Sequence, residues 1–233
     1  MTNTRLDELA MNLREVNARV DAACAAANRP RTDVHILAVT KTFPASDLDL
    51  LAQLDCTDVG ESRDQEARAK KDEVAAPLRW HMIGQVQRKK AKHVAAWADV
   101  VESVDRSELA VALNLGAQAA GKRLDVLIQI SLDPSGTPNR GGVDRGEVAA
   151  LAELIMGSGH LNLTGVMAVA PLEANPQAAF ELLAQAHGDL LRVAPAALTV
   201  SAGMSGDLEA AIAYGATQVR IGGALLGNRP PLK

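Results

Sequence analysis

Three groups of residues have the types and spacing to do chemistry. Lys41 ends the apolar run Val34-His-Ile-Leu-Ala-Val-Thr-Lys41, and Thr42, Phe43 and Pro44 follow it. Ser201-Ala-Gly-Met-Ser-Gly-Asp207 and Arg220-Ile-Gly-Gly223 each close a later apolar run. A lysine whose stem sits in apolar surroundings has a lowered pKa, and its free amine attacks carbonyl carbon. Glycines let backbone N–H groups approach a ligand closely, and N–H groups at a helix start favour an anion. Each group also has an ordinary reading: a solvated lysine at a strand end, and turns capped by Ser205 or Asp207.

Whether the three groups meet depends on the elements that carry them. Residues 3–28 predict an amphipathic helix, with Leu6, Leu9, Leu13, Val16 and Val20 at helical spacing. The run from Val34 predicts a buried parallel strand that Pro44 stops near Lys41, with His35 a satisfied core residue. Further strands are predicted at 57–60, 79–84, 100–104, 125–131, 163–169, 198–202 and 218–221. Helices are predicted between them at 47–54, 63–74, 107–120, 147–156, 176–191 and 206–214, with another carrying Arg88 to His93, and residues 132–142 read as an irregular loop. In the third strand one of Trp80 and His81 faces inward and the other faces the helices.

Strand and helix alternate without a domain-scale break, and eight such units predict a single α/β domain, a closed (β/α)8 TIM barrel over 34–229 with an extra N-terminal helix within 1–30. A doubly wound open sheet is the alternative, but the turn after the first strand, Lys41-Thr-Phe-Pro44, has no glycine fingerprint. In a barrel, chemistry gathers at the carboxyl ends of the strands. Those ends carry Lys41, Glu61, Gly84-Gln85, Ser103, Gln129, Ser131, Met167, Ser201 to Ser205, and Arg220 to Gly223. The loops after strands seven and eight are the recurrent phosphate site of this fold, across the barrel from Lys41.

Composition removes other functions. Of 233 residues, 48% are hydrophobic, enough for a large core, while 2% aromatics supply no base-stacking platform. A net charge of −4 gives no field for nucleic acid. The basic cluster Arg88, Lys89, Lys90, Lys92 and His93 reads as a solvated helix face, with phosphate or RNA binding as its alternative. The polar N-terminus shows no signal peptide and no run reaches membrane-spanning length. Cys24 and Cys56 suit packing in a reducing cytoplasm. The five histidines lack metal-ligand spacing, and GxSxG does not occur.

A nucleophilic lysine and a phosphate cup suggest pyridoxal 5′-phosphate, whose aldehyde forms a Schiff base with lysine. Lys41 takes that role, and Ser201, Gly203, Met204, Ser205, Gly222 and Gly223 hold the phosphate. A phosphosugar aldolase uses the same pair but needs an acid–base group, for which Glu61 is the candidate.

Leu37-Ala-Val-Thr-Lys-Thr-Phe-Pro44, Val59-Gly-Glu61, Trp80-His-Met-Ile-Gly84 with Gln87, Ser201 to Asp207, and Val219-Arg-Ile-Gly222 through Gly227-Asn-Arg229 together resemble the pyridoxal phosphate homeostasis protein family. The resemblance implies an alanine racemase N-terminal-type barrel without the C-terminal β domain. It implies pyridoxal phosphate on Lys41, Arg220 facing the pyridine nitrogen, no catalytic residue and no metal. The implied role is storage or delivery of the cofactor, with pyridoxal phosphate-dependent apoenzymes as partners and a monomer or weak dimer as the assembly. The sequence departs from the family at Ser62 (usually Asn, near the cofactor), Gln85 (usually His), Lys89 (usually Asn) and Arg140-Gly141-Gly142 (usually Lys-x-Gly). An amino-acid racemase is the enzymatic alternative, but racemases of this fold take a tyrosine base from a second domain, and the one tyrosine here, Tyr214, lies at a predicted helix end.

Overall fold

A computed structural model describes residues 4–133, 141–171 and 175–228. The apolar runs form strands His35–Val39 (β1), Asp58–Glu61 (β2), Arg79–Met82 (β3), Val100–Val104 (β4), Leu124–Gln129 (β5), Leu161–Met167 (β6), Thr199–Ser201 (β7) and Gln218–Ile221 (β8). All neighbours are parallel, and β8 pairs with β1 to close the barrel. The helices are Arg5–Ala26 (α1), Ala45–Gln53 (α2), Asp64–Glu73 (α3), Ala91–Trp97 (α4), Ser107–Ala119 (α5), Val148–Met156 (α6), Pro176–Val193 (α7), Leu208–Ala213 (α8) and the single turn Gly223–Leu226 (α9).

β1 stops at Val39, short of Lys41, because the chain turns sharply at Thr42, whose φ is +73°. His35 stands at the open beginning of β1 and is exposed, which corrects its expected place in the core.

Strand alternation sorts the side chains into two shells. Val59, Trp80, Val126, Val166 and Val200 face outward and pack with helix residues such as Leu109, Phe180 and Leu183. Trp80 meets Trp97 edge to face, with ring centroids 6.5 Å apart. Gly60, His81, Glu102, Leu127, Met167, Ser201, Gln218 and Arg220 occupy the inward register. Val100, Leu127 and Met167 form a small apolar cluster there.

The extra helix α1 begins with a reciprocal cap between Thr4 and Asp7. Its Leu9, Val16, Val20 and Cys24 are buried with Leu208 and Ile212 of α8, Val219 and Ile221 of β8, and Leu225 of α9. Burying each such leucine or valine contributes about 1.5–3 kcal/mol. α1 is therefore fastened over the seam that carries both glycine-rich turns. Arg19 donates to the Ser205 carbonyl at 2.9 Å and Asn12 to the Leu225 carbonyl at 2.9 Å.

Candidate ligand site at the barrel mouth

Lys41 is half-buried in the turn between β1 and α2. Closure of the barrel sets this turn beside the one after β8, and a Cβ built on Gly222 would lie 3.6 Å from the Val39 Cβ. The lysine and the second glycine turn are thus neighbours around the rim, where the sequence reading had them across the barrel.

The two glycine turns present backbone donors. Among the described residues, no backbone hydrogen bond engages the N–H groups of Gly203, Ser205, Gly222 or Gly223. Met204 differs, since its N–H donates to Asp207 Oδ1 at 2.6 Å, so its expected place in an anion cup is taken by a side chain of the same turn. Gly203 has φ +89°, and a Cβ there would lie 2.6 Å from the Ala211 Cβ, so this glycine is dictated by packing against α8. Gly223 would meet nothing within 4 Å, and Gly222 only Val39 at ordinary contact distance. Side-chain packing alone does not require these two to lack side chains.

Below the mouth lies a buried ionic lattice. Arg220 donates from its two terminal nitrogens to the carbonyls of Ser201 and Ala168, both at 2.7 Å, and to Ser201 Oγ at 2.8 Å. These bonds engage three of the five guanidinium N–H groups. Ser201 Oγ donates to Glu102 Oε2 at 2.6 Å and also accepts from Gln218 Nε2 at 3.0 Å. One proton and two lone pairs saturate a hydroxyl. The Ser201 side chain therefore serves the barrel interior, and its expected phosphate contact has no donor left. Met167 is buried on the same inner surface.

His81 extends the lattice, with Nδ1 2.7 Å from Glu102 Oε1 and Nε2 3.0 Å from Asp58 Oδ1. Two carboxylates facing both ring nitrogens require the imidazolium. Burial pulls the His81 pKa down, but the bonds to Asp58 and Glu102 outweigh it and the net shift is upward. Glu102 is pushed up by burial yet held below the usual carboxylate range by His81, Arg220 and Ser201. Burial lowers the pKa of Arg220, against the opposing charges of Glu102 and Asp207.

Glu61 does not face the mouth. It shares the outward register of Val59 and lies behind β2, where Oε1 accepts from Thr40 Oγ1 at 2.6 Å and from Lys70 Nζ at 2.8 Å. Burial raises its pKa against the opposing effect of Lys70. Its Oε2 and the nearby Thr42 Oγ1 are buried without a partner among the described residues. This placement removes Glu61 as the acid–base group of an aldolase. Tyr214 ends α8, the helix that returns the chain to the start of β8, so it stands at the opposite end of the barrel from Lys41.

Ser62 is half-buried directly after β2, and a Cβ on Gly84 would sit 2.3 Å from its carbonyl oxygen. Ser62 lines a cleft of about 570 Å³ with Arg63, Met82, Gln85 and Lys90, beside the mouth and not containing Lys41. Arg88, Lys89, Lys90, Lys92 and His93 are exposed. Arg140 and Arg229 lie outside the described residues.

Sequence reasoning missed Glu102, Asp58 and Lys70. A carboxylate inside the apolar run Val100-Val-Glu-Ser-Val104 was the signal for Glu102. Lys70 lies in the charged run of α3, yet it is 7% exposed. Among the described residues no group of three His, Cys, Asp or Glu side chains is placed to hold a metal, and no helix is long and apolar enough to cross a membrane.

Residues 5–230 match the family described as alanine racemase, N-terminal domain. The pyridoxal phosphate homeostasis protein of Mycobacterium bovis is 42% identical over 245 residues, covering 97% of this chain and 94% of the relative. The protein of that name from Corynebacterium glutamicum is 44% identical over 222 residues, covering 92% and 99%. The solved structure of PipY from Synechococcus elongatus with PLP bound is similar at TM-score 0.82 and 29% identity, covering 94% of this chain and 100% of that one.

Proposed function

Because this chain belongs to the pyridoxal phosphate homeostasis protein family, on the alanine racemase N-terminal barrel, we propose that it binds pyridoxal 5′-phosphate at the barrel mouth and serves the cell's handling of that cofactor without turnover. The observation that carries this reading is the set of unengaged N–H groups on Gly203, Ser205, Gly222 and Gly223 beside the turn of Lys41. Pyridoxal phosphate supplies an aldehyde that condenses with an amine and a pyridine ring that withdraws electrons.

The chain's own residues divide the work. Lys41 provides the amine. The N–H groups of the two turns bind the phosphate, and charge-assisted bonds of this kind are about twice as strong as neutral ones. Arg220 is planted by the Ser201 and Ala168 carbonyls, which leaves Nε–H as a donor for the pyridine nitrogen. Gly222 and Gly223 keep the approach open. Ser201 and Met167 support the site from beneath, and Ser62 stands at its edge beside Gly84.

Pyridoxal phosphate-dependent apoenzymes are the natural recipients of a cofactor held this way, and we assign the protein to the cytoplasm. Buried thiols fit that compartment, and burial pushes the Cys56 thiol up to about 11. Borohydride reduction followed by peptide mass spectrometry tests the assignment. The adduct is expected on Lys41. Recovery on Lys92 or Lys122 instead would overturn it.

A further inference from the structure

We propose that Lys70, together with Glu61 and Glu66, is the positioning residue for Lys41: the cluster fixes the peptide on both sides of Lys41 and so sets where its amine stands. The proposal rests on the reading of Lys41 as the pyridoxal phosphate lysine.

Lys41 lies between Thr40 and Thr42, and each neighbour is gripped. Lys70 Nζ donates to the Thr40 carbonyl at 2.8 Å, to Glu61 Oε1 at 2.8 Å and to Glu66 Oε1 at 2.7 Å. Glu61 Oε1 also accepts from the Thr40 hydroxyl, and Glu66 Oε1 accepts from the Thr42 N–H at 2.5 Å. Thr42 holds φ +73°, a conformation that a β-branched residue adopts only where its surroundings impose it. The grip of Glu66 on its N–H is such an imposition.

An ammonium has three donors, and Lys70 spends all of them. It is the best buried lysine near the mouth and yet has no amine to offer a ligand. Glu61 is fully buried, so removing Lys70 would leave that carboxylate without its counter-ion.

The geometry gives this cluster a task. Lys41 rides on the turn after β1, whereas the phosphate turns follow β7 and β8. Condensation forms a C–N bond between amine and aldehyde carbon and expels water, with no change of oxidation state. Its extent depends on holding the amine at a fixed distance from a carbonyl that is anchored elsewhere. Lys70, reaching in from α3, holds the chain past its last bond to β2, from the Thr40 N–H to the Gly60 carbonyl at 3.0 Å.

The test uses the full chain in four forms: wild type, Lys70→Met, Lys41→Ala and the double variant. Readouts are the rate of the borohydride-trapped adduct on Lys41, the dissociation constant for pyridoxal phosphate, and the melting temperature. Lys70→Met should slow adduct formation by about tenfold or more, because misplacement of one reacting group by an ångström carries penalties of that order. It should weaken binding where Lys41 is present and leave it within about twofold where Lys41 is absent, since coupled residues are non-additive. Glu66→Gln, at a half-exposed position, is the gentler variant should Lys70→Met fail to fold, and should slow the adduct in the same direction. A wild-type adduct rate in both variants would overturn the proposal. So would an equal loss of affinity with and without Lys41, which is the mark of general structural damage. An adduct that forms on another lysine in the wild type overturns the Lys41 reading itself.

Discussion

His81 joins two carboxylates that would otherwise repel inside the barrel, and its charge is the centre of the buried lattice. The sign of its pH dependence follows from its raised pKa. A histidine raised in the folded state contributes stability that is fully present below its ordinary value of 6.5 and is lost as pH rises through the folded value. Glu102 is lowered, so its contribution is present above its ordinary 4.5 and is lost as pH falls through the folded value. Glu61 has the opposite sign: its raised pKa means that ionising it costs stability at higher pH. The His81→Gln variant isolates the imidazolium from these others. Urea midpoints of the wild type should fall as pH rises above about 6.5, and the variant should lose that slope while being less stable at low pH. Parallel profiles for the two proteins would show that His81 is neutral in the fold. None of this lattice was visible as such in the sequence. Alternation left open whether Trp80 or His81 faces inward, and the partners Asp58, Glu102 and Gln218 come from three other strands. A contact between strands has no local signature in a single chain.

Turns decide what this barrel can hold, and its glycines separate into two classes. Gly84 crosses so close to Ser62 that a methyl group would force the backbone apart, with a Cβ 2.3 Å from a carbonyl oxygen. Gly84→Ala should destabilise the fold by about 1–3 kcal/mol through overpacking, read as a shift in denaturant midpoint. Gly223 faces open space. Gly223→Ala should leave stability within about 0.5 kcal/mol and yet weaken pyridoxal phosphate, because the methyl group would stand in the proposed path of the phosphate. Pyridoxal without its phosphate should bind weakly to both forms and to the same degree. An equal loss for both ligands would show that the turn does not read phosphate. The elements themselves were largely legible. Short Val- and Ile-rich runs separated by amphipathic helices allow few arrangements, and eight of them close. Ends were less legible: β1 halts at Val39 because of Thr42, a backbone conformation that residue type alone does not announce. Lys41, Arg220 and the two glycine turns stand out in the sequence because glycines and a strand-end lysine are local signals. The saturated hydroxyl of Ser201 and the occupied N–H of Met204 depend on folded neighbours.

At the scale of the whole barrel, the proposed site would hold a reactive cofactor beside a fixed cation. Carbanion chemistry on a pyridine ring is fastest when the ring nitrogen carries a proton, and enzymes that need this set a carboxylate beside it. In the proposed site β8 would set Arg220 there instead, and backbone carbonyls of β7 and of the residue after β6 lock its guanidinium. A fixed cation opposes a second positive charge nearby. Glu102 balances Arg220 from below, but it does so through Ser201, and its own oxygens are taken by His81, Ser201 and Gln218. Glu61 is turned away behind β2, and Tyr214 is at the far end of the molecule. Neither Glu61 nor Tyr214 is therefore placed to serve as an acid opposite Lys41. The expected outcome is tight binding with negligible turnover. Incubation with L-alanine in deuterium oxide, followed by measurement of α-deuterium exchange and of D-alanine, checks this directly. Exchange should run far below the usual enzymatic range of about 1 per second or faster. Racemisation at enzymatic rates would mean that the barrel recruits a second proton donor, and the reading of a holder without turnover would fall.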